Sequence, residues 1–135
     1  MKRRDFLITA VAGLAAAPAF AAGMDYKPGL VEQELAAGKT VFLDFAADWC
    51  TTCRSQERTI NALRDANPSY DEAITFIRVD WDRYGDSQLA RRLNIPRRST
   101  LVVLKGDEEL GRIVAGTNRG QIQALLDTAL SAATA

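Results

Sequence analysis

The run Thr40 to Ala46 (Thr-Val-Phe-Leu-Asp-Phe-Ala) is β-branched and aromatic almost throughout, with one charge, Asp44. Too short for a helix and apolar on both faces, it reads as a strand covered on both sides of a sheet. Ahead of it, Leu30, Val31, Glu34 and Leu35 fall at helical spacing over Leu30 to Ala37, and Gly38 ends the run as a C-terminal glycine does. Behind it, Cys50 to Ala66 follows the helical period. Cys53, Ile60 and Leu63 form its inward stripe with Ala62 and Ala66 beside them, while Arg54, Glu57, Arg58, Arg64 and Asp65 hold the other faces. Asn67-Pro68 stops the helix, because the residue before a proline is pushed out of the helical region.

The remaining pattern alternates in the same way. Ile74 to Val79 reads as a second strand, Ser87 to Leu93 as a short helix capped by Asp86, and Thr100 to Leu104 as a third strand. Gly106-Asp107 turns the chain into a returning strand, Leu110 to Ala115. Asn118 then caps a last helix whose core face is Ile122, Leu125, Leu126 and Leu130. The order α, β, α, β, α, β, β, α implies an α/β domain, a mixed central β-sheet flanked by helices on both faces.

Composition narrows the function more than the fold. A chain of 135 residues, 47% hydrophobic and 25% charged, is one globular domain with enough apolar material for a core. Lys and Arg total 17 against 17 Asp and Glu, so no broad positive footprint for nucleic acid or an anionic membrane exists. The chain has no histidine. That excludes Ser/His and Cys/His catalysis and histidine-ligated metal chemistry.

Residues 1–21 follow a different pattern. Lys2, Arg3 and Arg4 form a basic head, Phe6 to Ala17 is an uncharged Ala/Leu/Val-rich stretch, and Ala19-Phe20-Ala21 is a small-x-small cleavage signature. This is the form of a secretory signal cleaved after Ala21. The apolar run is interrupted by Gly13 and falls short of the ~20 residues of a membrane-spanning helix. Arg3-Arg4 followed by Asp5-Phe6-Leu7 resembles the twin-arginine export signal, with an ordinary secretory signal as the alternative. The expected product is a periplasmic protein with a short lead over residues 22–29 and one domain over residues 30–135.

The chemistry sits in Trp49-Cys50-Thr51-Thr52-Cys53, which holds the chain's 2 cysteines where a strand runs into a helix. A helix start offers unpaired N–H groups and the positive end of the macrodipole, which stabilise a thiolate on the first sulfur. A thiol of pKa ~8.5 is about 3% ionised at pH 7; one of ~6.5 is roughly 75% ionised. Cys50 is therefore the nucleophile, and Cys53, one turn on and less exposed, resolves the mixed disulfide. One alternative is a structural disulfide, although so short a loop contributes only about 2 kcal/mol. Another is a two-cysteine metal site shared between two chains.

These residues carry a family resemblance. From about Leu30 to Leu130 the chain resembles the thioredoxin superfamily. Val41 to Cys50 is similar to its central strand and active-site approach, Cys53-Arg54 to its cysteine-basic pair, and Ile77 to Asp80 to its third strand. Thr100 to Lys105 and Gly120 to Leu126 are similar to the strand after the substrate groove and to the closing helix. Leu35 to Lys39 and Ala47 to Cys50 most resemble periplasmic reductase domains, such as the C-terminal domain of the membrane thiol-reductant transporter.

The resemblance implies a thioredoxin fold and a buried acid at Asp44, six residues before Cys50, raised by desolvation and poised to take the proton of Cys53. It implies a groove lined by Trp49, Arg98, Ser99 and Thr100, with Arg78 as a basic partner of the acid and Arg97 beside Arg98 at the rim. For Arg78 and the Arg97-Arg98 pair, solvated charges are the alternative. The sequence departs from the family at Ser99, where a cis-proline usually faces the dithiol; the Arg98-Ser99 peptide is expected to be trans, and the Ser99 hydroxyl to approach the sulfurs.

The expected activity is that of a thiol:disulfide oxidoreductase, working as a reductase without cofactor or metal. Its expected partners are disulfide-bearing periplasmic clients and an inner-membrane thiol donor, and a monomer is expected. The alternatives are a binding or chaperone module of the same fold and a metal-binding dimer through exposed cysteines.

Overall fold

A computed structural model describes residues 23–135. The basic head, apolar run and cleavage signature over residues 1–21 lie outside the described residues. The elements run β1 (Met24–Asp25), α1 (Leu30–Ala36), β2 (Thr40–Ala46), α2 (Thr51–Ala66), α3 (Ser69–Ala73), β3 (Ile74–Asp80), α4 (Trp81–Tyr84), α5 (Gln88–Arg92), β4 (Thr100–Lys105), β5 (Glu108–Val114) and α6 (Arg119–Thr134).

The strands form one sheet in the order β1-β3-β2-β4-β5. β3 runs parallel to β1 and β2, while β4 runs antiparallel to β2 and β5. β2 lies at the centre with all its residues buried, as its unbroken apolar run requires. The outer strands differ from it: β1 has 2 residues, and β5 has no fully buried residue and meets β4 across an irregularity at Val103/Leu104.

Side chains of a strand alternate between its faces. Val41, Leu43 and Phe45 accordingly join Leu30, Val31 and Leu89 in one core, against α1 and α5. Phe42 joins Ile60, Leu63, Phe76, Ile122 and Leu126 in the other, against α2 and α6. The same parity puts Asp44 on the α2 side. Arg78, its register partner on β3, shares that side with Phe76.

Three elements escape the sequence pattern: β1, α3 and α4, none longer than 5 residues. The returning strand starts earlier than expected, at Glu108. Ser87, rather than Asp86, caps α5, its hydroxyl accepting from the Ala90 N–H at 3.1 Å. On α2, Ala62 and Ala66 are exposed and Arg64 is buried, the reverse of the helical reading. The Arg64 guanidinium stacks 3.9 Å from the Phe76 ring centroid and pairs with Asp71, so its aliphatic stem completes the core. On α6, Ala129 is fully buried and Leu130 half-buried.

Candidate functional site

Cys50 is the N-cap of α2. Its backbone is extended (φ −88°, ψ 113°), its carbonyl accepts from the Arg54 N–H at 3.1 Å, and its sulfur accepts from the Cys53 N–H at 3.1 Å. A side chain that accepts from the third helical N–H is the normal cap, performed here by sulfur where serine or aspartate is usual. The two cysteines are unbonded; Cys50 is 3% exposed and Cys53 0%. Among the described residues no group of three or more His, Cys, Asp or Glu side chains is placed to hold a metal.

Ser99 stands against both sulfurs. Its Oγ lies 3.2 Å from Cys50 Sγ and 3.0 Å from Cys53 Sγ, and the Arg98-Ser99 peptide is trans. Its φ is +64°, a left-handed conformation that costs a non-glycine residue about 1–2 kcal/mol. Hydrogen bonds hold it there. The Ser99 N–H donates to the Phe45 carbonyl at 2.6 Å, and the Ser99 carbonyl accepts from the Ala115 N–H at 2.8 Å and from Gln56 Nε2 at 3.0 Å.

The two sulfurs differ in acidity. Burial pushes the Cys50 thiol up, but hydrogen bonds from the Cys53 thiol, the Ser99 hydroxyl, the Cys53 N–H and the Arg98 guanidinium outweigh it and bring the group down to about 7. About half of Cys50 is then thiolate at neutral pH, against a few per cent for a free cysteine. Cys53 moves the opposite way: burial raises it first, and the hydrogen bond it gives to Cys50 raises it further.

Asp44 is buried beneath the pair. Burial pushes its carboxyl well above the usual carboxylate range, the adjoining Glu57 carboxyl pushes it further, the Arg78 charge opposes, and the Cys50 charge adds to the rise. Asp44 Oδ1 has no hydrogen-bond partner. A pocket of about 190 Å³ between α2 and β3, lined by Asp44, Glu57, Arg78 and the apolar Phe42, Ile60 and Phe76, reaches this acid from outside. Arg78 does not hydrogen-bond Asp44. It donates to Glu57 at 2.9 Å and to Asp48 at 3.0 Å, acting on Asp44 through its charge alone.

The groove candidates separate. Trp49 is 55% exposed, its indole N–H donates to the Asp82 carboxylate at 2.9 Å, and the Arg98 guanidinium lies 4.4 Å from its ring centroid. Trp49 and Arg98 therefore form an outer rim over Cys50. Thr100 is fully buried, its hydroxyl donating to the Arg97 carbonyl at 2.7 Å, so its side chain does not reach the groove. Arg97 turns its Nε onto the Arg98 carbonyl at 2.9 Å, leaving that carbonyl engaged within the chain.

Sequence reasoning missed Gln56, Glu57 and Trp81 as members of the site. Gln56 and Glu57 fall three and four residues after Cys53, the spacing that returns a helix to the same side, and that spacing was the available signal. Trp81 packs against the cluster of Ala46, Ala47, Cys50 and Cys53.

The Thioredoxin family model matches residues 28–128. The chain belongs to the thioredoxin family. It is 31% identical over 90 residues to Thioredoxin H2-1 of Oryza sativa subsp. japonica, covering 67% of this chain and 60% of that protein. It is 29% identical over 98 residues to Thiol:disulfide interchange protein DsbD 2 of Pseudomonas aeruginosa, covering 67% of this chain and 16% of that protein. The chain thus spans less than two thirds of the first relative's length and about a sixth of the second's. Among solved structures, thioredoxin Mala s 13 of Malassezia sympodialis superposes with a TM-score of 0.68 at 25% identity, covering 80% of this chain and 90% of that one. In this chain the mixed sheet carries the cysteine pair where its central strand enters a helix.

Proposed function

We propose that this thioredoxin-family chain is a thiol:disulfide oxidoreductase that reduces disulfides of exported proteins in the periplasm. The observation that carries the reading is the Cys50-Cys53 pair at one helix start, where the Cys50 sulfur accepts from the Cys53 N–H at 3.1 Å and the Ser99 hydroxyl lies 3.2 and 3.0 Å from the two sulfurs, bringing Cys50 down to about 7 while burial raises Cys53. That asymmetry gives one nucleophile and one reserve thiol.

The Cys50 thiolate attacks a client disulfide, forming a Cys50–client disulfide and releasing one client thiolate. Loss of the Cys50 charge removes one repulsion that holds the Asp44 carboxyl up, so it ionises more readily as the mixed disulfide forms. Asp44 then takes the proton of Cys53, whose thiolate attacks the Cys50 sulfur. The client leaves with its second thiol and the chain is left with a Cys50–Cys53 disulfide, two electrons having passed to the client. A thiol donor must return those two electrons. The DsbD 2 relative supports an inner-membrane donor, and the twin-arginine-like head of residues 1–21 supports export.

The reduction potential of the Cys50/Cys53 pair tests the direction. Trp49 and Trp81 both border the dithiol and report its state by fluorescence in glutathione or dithiothreitol buffers. A potential near about −250 mV supports a reductase; one near about −120 mV makes the chain an oxidant. The Cys50→Ser variant is expected to lose all reduction of a model protein disulfide, whereas Cys53→Ser accumulates the mixed disulfide. Full reduction by Cys50→Ser overturns the function.

A further inference from the structure

Gln56 is 0% exposed on the buried face of α2, beside Cys53, Ile60 and Leu63. A buried amide is costly unless hydrogen-bonded, and here the bonds are spent in one place. Its Nε2 donates to the Ser99 carbonyl at 3.0 Å and to the Gly116 carbonyl at 2.9 Å. Two acceptors facing one end of the amide fix its orientation, since the flipped amide would set oxygen against two carbonyl oxygens. Oε1 is then left buried without a partner. A side chain serving only to fill space at this position would be apolar; an amide held with one end unsatisfied indicates that its donors are what the fold retains.

Both carbonyls belong to strained segments. Ser99 has φ +64°, and Ala115, which precedes Gly116, has φ +65°. Such conformations persist in non-glycine residues only where the surroundings over-determine them. The Ala115 N–H also donates to the Ser99 carbonyl at 2.8 Å, so Gln56 closes a link between α2, the segment before β4 and the turn before α6. On the far side of Ser99 from this link is the hydroxyl that meets the two sulfurs at 3.2 and 3.0 Å.

We propose that Gln56 is a positioning residue for the dithiol: by clamping the Ser99 and Gly116 carbonyls it holds the Ser99 hydroxyl between Cys50 and Cys53, where a hydrogen bond supports the Cys50 thiolate. The proposal rests on the dithiol reading above, but it predicts a property of the reduced protein that needs no client. Ser99 carries one hydroxyl proton, so it donates to one sulfur at a time, and Gln56 acts only through it.

The test is the ultraviolet titration of the Cys50 thiolate in the full chain and its variants. Gln56→Met keeps length and shape and removes both donors. It is expected to raise the Cys50 midpoint by about one pH unit, the tenfold change in ionisation that loss of one hydrogen bond to a charged group produces. Ser99→Ala is expected to give the same shift, and the double variant no more than either alone. A Gln56→Met protein that folds with lowered stability and an unmoved midpoint overturns the proposal, as does a double variant whose shift is the sum of the two.

Should that variant fail to fold, the wild type supplies the reading. The Gln56 side-chain amide protons are expected to exchange slowly with solvent and to change chemical shift as Cys50 titrates. Rapid exchange without such a change overturns the proposal. Absence of disulfide reduction by a wild type that still titrates near pH 7 sinks the oxidoreductase function and leaves the Gln56 linkage standing.

Discussion

The two faces of the central sheet are built by alternate residues of the same strands, yet they hold different kinds of core. Against α1 and α5, Leu30, Val31, Val41, Leu43, Phe45 and Leu89 make a cluster of side chains with no charge among them. Against α2, the apolar Phe42, Ile60 and Leu63 share their side with Asp44, Gln56 and Arg64, all buried. One face stabilises by removing apolar surface from water; the other gives up part of that gain to place an acid, an amide and a serine hydroxyl around two sulfurs. β2 serves both purposes through the alternation of its side chains.

Substitutions on the two faces are expected to have opposite signatures. The largest effect on stability belongs to the apolar face: Leu43→Ala, at a fully buried position, lowers unfolding free energy by about 2–5 kcal/mol. Denaturant melts check it, and the Cys50 titration midpoint stays where it was. A moved midpoint would break the separation of the two faces.

The polar face gives a smaller effect of the other sign. Asp44 has a folded-state pKa raised first by burial, so below its unfolded value both states are protonated and the group costs nothing. As pH rises from about 4 towards the raised folded value, the unfolded chain ionises first and stability is lost. Asp44→Asn escapes that loss. Its advantage is absent near pH 3 and grows as pH rises towards neutrality, while proton transfer from Cys53 and hence client release slow. Thermal melts across that range, with parallel curves for the two proteins, would show the acid to be unperturbed.

At the rim the expected change is smallest. Asp82→Asn weakens the contact to the exposed Trp49 indole and is worth about 0.5 kcal/mol or less. A change in Trp49 fluorescence without a change in the melting midpoint is the result that fits.

The central strands and the cysteine pair were legible because their signals are local: β2 and β4 lie within a residue of their predicted bounds, and Cys50 stands at the strand-to-helix junction. Asn118 caps α6 as its sequence requires, accepting from the Gln121 N–H at 2.9 Å. The two-residue β1 and the short α3 and α4, of 5 and 4 residues, are too short for a hydrophobic period to repeat, so no pattern announces them. Gln56 and Arg64 were illegible for another reason. A polar residue in an apolar stripe gives no sign in sequence of whether it bends outward or finds partners inside. Here the partners are carbonyls some 43 and 60 residues away and the ring of Phe76.

The unequal outer strands bear on how the molecule meets copies of itself. Unpaired backbone along a long, flat, apolar edge templates the addition of another strand, the first step of aggregation. Beside β3 the edge is a strand of 2 residues, which offers almost no ladder to extend. At the opposite edge, β5 meets β4 across a shift of register at Val103/Leu104 and carries Glu108, Glu109 and Arg112, with Arg112 tied to Glu109 and to the Leu93 carbonyl. Shortness limits what one margin offers to a further strand, and charge with a break in register limits the other.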